Sequence, residues 1–183
     1  MGIVKRFILA LVCLIIISIL TWIFPFSYIS VYKSSNYTAD SFEVDAYSKK
    51  LNEFKESFDE NSTDDVTTKF TLAILPIFEG TWLVNKGTVK MSYDELDSIF
   101  HTVSHTKNNL QILGLEEKYT EEQRLYLVNI IDNLDSLEET IESIMNEKWE
   151  TRSTLNIEFR NLHNAFFNSF NVFISFYEIS QQS

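Results

Sequence analysis

The hydrophobic pattern opens with an unbroken run. Residues 7–26 are twenty positions without a charge. A helix of that length rises about 30 Å, the thickness of one hydrocarbon core, so the run predicts a transmembrane helix. Lys5 and Arg6 precede it, and Lys33, Asp40, Glu43 and Asp45 follow it. Basic flanks stay on the cytoplasmic side. The expected topology has residues 1–6 in the cytoplasm and the chain beyond Tyr28 outside. Trp22, Phe24, Phe26 and Tyr28 read as an aromatic girdle at the outer interface. The rival reading is a cleaved signal peptide, whose apolar part spans about 7–15 residues and ends in a small-x-small site. Here the run is longer, and cleavage after Ser30 would put the bulky Tyr28 at the −3 position. A retained anchor is expected. Cys13 follows Val12, where a lipoprotein site needs a small residue, so Cys13 reads as an ordinary membrane residue.

Residues 27–40 read as a linker, polar in its second half (KSSNYTAD). Helical periodicity then begins. Val44, Tyr47, Leu51, Phe54 and Phe58 recur at steps of three and four, one stripe of an amphipathic helix. Residues 59–65 (DENSTDD) interrupt it, and Ser62 with Asp65 resembles an N-cap pair. Residues 69–84 are apolar on nearly every side but contain Glu79 and are too few to span a bilayer comfortably. They predict a buried helix kinked near Pro76. A membrane-surface segment is one alternative. A hairpin turning at Asn85-Lys86-Gly87 is another.

Ser92 to Glu95 forms a capping box, followed by apolar Leu96, Ile99, Phe100, Val103, Leu110 and Leu113, with Gly114 as the expected stop. Thr120 to Gln123 forms a second box. Behind it lie Leu127, Ile130, Leu134, Leu137, Ile141 and Ile144, the cleanest heptad in the chain. The pattern resets at residues 149–154 and resumes at Leu155, Phe159, Leu162, Phe166, Phe173 and Phe176. The last two elements, about 45 and 40 Å long at the helical rise, predict an antiparallel hairpin. The expected fold class is all-α: one transmembrane helix, then an extracytoplasmic four- or five-helix bundle over residues 41–183.

Composition narrows the picture. Four Gly and two Pro in 183 residues argue against β-sandwiches, barrels and Gly-rich phosphate loops. One Cys leaves no internal disulfide framework and no thiolate metal cluster. Thirteen of the fifteen basic residues and all 26 acidic ones follow the apolar run, a net of −13. Such a domain is a poor match for nucleic acid and for anionic lipid headgroups. Residues 121–150 hold nine acids against Arg124 and Lys148. They read as a solvated face or as a docking surface for a cationic protein partner. No stretch has the calcium-loop spacing. The usage of Asn, Ile, Lys and Glu suggests an AT-rich bacterial gene, in which the Asn36 and Asn61 sequons carry no meaning.

Candidate chemistry is sparse. Asp97, His101 and His105 share one helical row, a conceivable metal face. Counted from Leu96, they fall at about 100°, 140° and 180°, away from the apolar stripe. The row is expected to face water. His163 falls inside the aromatic stripe and reads as a core histidine. The stripe of Phe159, Phe166, Phe167, Phe170, Phe173, Phe176 and Tyr177 is wider than one neighbouring helix needs, so it serves a central helix or a partly exposed groove. No nucleophile elbow, P-loop or zincin motif is present. The sequence therefore assigns no catalytic residue, no metal ligand and no cofactor. It points to a non-enzymatic binding, accessory or regulatory protein at the cell envelope, with an immunity-like or scaffold role in view. The alternatives are a carrier of a small apolar ligand and a metal-dependent enzyme using His101 and His105.

Overall fold

The computed structural model describes residues 2–61, 66–116 and 118–181. Among them are helices α1 (Ile3–Ile23), α2 (Ser41–Asn61), α3 (Val66–Ile74), α4 (Thr81–Val84), α5 (Tyr93–Glu116), α6 (Glu121–Asn146) and α7 (Arg152–Ser180). Two short strands, β1 (Ser34–Tyr37) and β2 (Val89–Ser92), and a 3-10 segment (Leu75–Glu79) complete the order. The fold is mostly helical, and α1 is long and apolar enough to cross a membrane. The N-cap pair expected at Ser62 and Asp65 lies outside the described residues.

The α1 helix has no buried residue. It stops at Ile23 because Pro25 disfavours helical geometry at the residue before it, and Phe24 takes φ −114°, ψ 78°. The expected girdle then divides. Trp22 and Tyr28 are exposed, whereas Phe26 turns inward to 1% exposure and, together with Tyr37, lies edge-on to Phe159, with centroid distances of 6.4 Å for Phe26 and 5.8 Å for Tyr37.

The stretch read as a linker contains β1. It pairs antiparallel with β2 in the register Ser34↔Ser92 to Tyr37↔Val89. Lys33 enters the strand at φ 35°, and its carbonyl accepts the Tyr93 amide at 2.9 Å. This small sheet is an addition to the all-α expectation. Ser35 and Tyr37 are buried while Asn36 is exposed, but only Tyr37 gives an apolar signal, too little for an alternation to stand out. Of the hairpin alternative only the second arm forms a strand. Residues 81–84 are helical, and β2 pairs with β1 instead.

Helix termini follow local chemistry. Thr120 and Gln123 make both halves of a capping box. Ser92 Oγ accepts the Glu95 amide at 3.1 Å, and Asp40 Oδ1 accepts the Phe42 amide at 2.8 Å. Pro76 ends α3 by starting the 3-10 segment. Gly114 does not stop α5, which continues to Glu116. A Cβ at Gly114 would stand 2.9 Å from Leu127 Cδ2. Its role is close approach of α5 to α6.

The centre of the fold is α7. Gln123 near the start of α6 donates to the Ile179 carbonyl near the end of α7 at 3.3 Å, so the two run antiparallel. On another flank Tyr47 meets Phe167 and Phe170, and Phe58 meets Tyr177, so α2 runs parallel to α7. On a third, Phe78 packs on Phe170 and Phe173 while Trp82 packs on Phe166. Phe159, Phe166, Phe170, Phe173 and Phe176 are all at most 1% exposed. Each buried Phe contributes about 1.5–3 kcal/mol. The width of the aromatic stripe is thus explained by neighbours on several sides.

Candidate functional site

The histidine row is placed as its rotation predicts. His101 and His105 are exposed on α5. His101 Nε2 is 3.7 Å from Asp97 Oδ2. His105 Nδ1 takes a 3.2 Å hydrogen bond from the Asn109 side chain. Both histidines border an open cleft of about 400 Å3 together with Pro76 and Ile77. Among the described residues no three His, Cys, Asp or Glu side chains converge as a metal-holding group.

His163 is fully buried. Its ring lies 5.8 Å from those of Tyr47 and Trp82. Nε2 donates to the Leu83 carbonyl at 2.9 Å, which fixes the tautomer and leaves Nδ1 buried without a partner. This histidine ties α4 to α7. Nearby, the Tyr47 hydroxyl donates to the Phe78 carbonyl at 2.7 Å. Burial raises the Tyr47 phenol above its ordinary range, with Glu79 adding to the effect. Tyr37 is pushed up to about 12, chiefly by burial and then by Glu43, while Arg160 opposes. Both phenols are held neutral in a packed interior.

The acidic face of α6 is partly used within the fold. Lys107 of α5 bonds Asp135 at 2.6 Å and also pairs with Glu138. Its ammonium is stabilised first by the hydrogen bond to Asp135, so its pKa rises. Glu121, Glu122, Asp132, Glu139, Glu142 and Glu147 remain exposed.

The most unusual arrangement is where α1 meets the bundle. The Arg152 Nε donates to the Trp22 carbonyl at 2.6 Å, one of the last carbonyls of α1 and without a helical partner. The guanidinium lies 6.0 Å from the Trp22 ring. Beside it Phe24 meets Trp149 edge-on at 5.7 Å. A cleft of about 400 Å3 opens here between Ser18, Thr21 and Trp22 of α1 and Ser30, Tyr32, Ser34, Asn36 and Arg152. Sequence reasoning missed it. The apolar period merely resets around Trp149 to Thr154, and nothing local ties Arg152 to a residue 130 positions earlier.

The chain matches no known family, and no curated protein or solved structure is similar to it.

Proposed function

We propose that this is a single-pass membrane protein with its N-terminus in the cytoplasm and an extracytoplasmic helical bundle, acting as a non-enzymatic binding, accessory or regulatory protein at the cell envelope. The observation that carries the reading is the joint between α1 and the bundle. Phe26 is part of the core at 1% exposure, and Arg152 and Trp149 hold the last residues of α1. Cleavage after Ser30 would take Phe26 out of that core, so the packing favours a retained anchor. A domain seated this closely on its anchor is positioned toward the membrane and toward partners within it. The exposed acids of α6 suit a protein partner with a cationic surface.

The other readings draw less support. An enzyme using His101 and His105 would need a sheltered pocket, and both side chains face solvent. An apolar-ligand carrier would need interior space where the five α7 phenylalanines are already packed.

Protease added to intact cells or protoplasts should digest the bundle and leave a fragment the size of α1 and its short leader in the membrane. A protected bundle, or a mature N-terminus near Ser30, overturns the topology. Crosslinking in native membranes should capture a partner, and Glu139→Lys with Glu142→Lys should abolish that capture.

A further inference from the structure

We infer that the cleft at the joint of α1 and the bundle binds the phosphodiester headgroup of a membrane glycerophospholipid. The inference rests on α1 being embedded, as proposed above.

Three features of the cleft point to this chemistry. First, its rim is built for an anion. Arg152 supplies a guanidinium whose Nε is engaged by Trp22 and whose remaining N–H groups have no protein acceptor among the described residues. Planar N–H donors of this kind fit phosphate oxygens. Tyr32, Ser34 and Asn36 add neutral donors, and no carboxylate lines the cleft. That absence is notable in a domain with a net charge of −13.

Second, the charged donor stands on the bundle wall only. Ser18 and Thr21 spend their hydroxyl protons on the α1 backbone, Ser18 on the Leu14 carbonyl at 2.8 Å and Thr21 on the Ser18 carbonyl at 2.9 Å. On the helix wall this leaves the Trp22 indole N–H as a donor, while the opposite wall carries the Arg152 guanidinium with Ser34 and Asn36. A ligand bound here has its polar part turned toward the bundle.

Third, the cleft continues into the membrane. Below it lies the open, mostly apolar face of α1 formed by Leu14, Ile15, Ser18, Ile19 and Trp22. It shares Ser18 and Trp22 with the polar cleft. A headgroup in the upper cleft would lay an acyl chain along this face. Free phosphate would use only the upper part. An acyl chain adds contact with this apolar face, which a soluble phosphate cannot make. Trp22, the shared residue, lies in the last turn of α1, the depth at which phosphates sit in a bilayer.

The test uses the full chain purified in detergent and titrated with phosphatidylglycerol, with bound lipid read by native mass spectrometry. Wild-type protein should retain one lipid. Arg152→Gln should weaken retention by about tenfold or more, as loss of a charge-assisted hydrogen bond implies. Asn36→Asp, at an exposed strand position that leaves the packing intact, should weaken it similarly by placing a carboxylate against the phosphate. Equal retention by wild type and Asn36→Asp, with both folded by circular dichroism, overturns the inference. So does displacement of the lipid by glycerol 3-phosphate at equal concentration, which would assign the cleft to soluble phosphates. Carbonate washing of membranes separates the two levels of the argument. A wild-type chain that washes off defeats the anchor and the lipid site together, whereas one that stays but retains no lipid defeats the site alone.

Discussion

Two buried tyrosines show how a single atom decides the effect of the same substitution. The Tyr47 hydroxyl has the Phe78 carbonyl as its partner, whereas the Tyr37 hydroxyl is buried with none. Tyr47→Phe should cost about 1–3 kcal/mol by stranding a buried carbonyl. Tyr37→Phe should be neutral or slightly stabilising. Thermal melting of the chain in detergent, followed by circular dichroism, compares them. Their pH dependence has a definite sign. The fold keeps both phenols neutral, while the unfolded chain loses these protons near pH 10. Stability should therefore fall as pH rises from about 10, by about 1.4 kcal/mol per pH unit for each tyrosine. The Tyr37 part ends near its folded value of about 12, and Tyr37→Phe should remove it. An unchanged alkaline slope in that variant would contradict the assignment.

At the scale of the element, the heptad of α6 is the structural seam. Leu134 and Ile141 are fully buried on a helix that packs against both α5 and α7. Leu134→Ala or Ile141→Ala should each cost about 2–5 kcal/mol, read from the shift in melting temperature. A loss below about 1 kcal/mol would mean that the seam relaxes around the cavity. This element was legible because its information is local. Caps and a period of three and four residues lie within the helix itself. The break at Pro76 was legible for the same reason, although a kinked helix was expected and the chain instead passes into a 3-10 segment. Gly114 was misread because the usual C-cap rule competes with packing, and the deciding atom belongs to Leu127 on another helix.

For the whole molecule, α7 is the element on which the others converge. It meets α6 on one side, α2 on a second and residues 75–84 on a third, and its first turns hold Phe26 and Tyr37. Removing residues 155–183 should unfold the bundle rather than only abolish a binding function. Far-ultraviolet circular dichroism of the shortened chain should show lost helicity and no cooperative melt. A shortened chain that stays helical and melts cooperatively would make α7 a detachable binding element.

The sequence by itself determined the anchor-length helix, the dominance of helix, the α5 and α6 starts and the outward turn of His101 and His105. Each follows from neighbours within a few turns, where periodicity and capping act. Tertiary structure decided the rest. The β1 strand exists because β2, 58 positions away at Ser34↔Ser92, satisfies its backbone groups. Phe26 left the expected girdle because Phe159 offered it a dry site. The cleft at Arg152 exists because the start of α7 comes back beside the end of α1. Such pairings depend on which surfaces meet in space, and a one-dimensional pattern of apolar and polar residues carries that information only for elements adjacent along the chain.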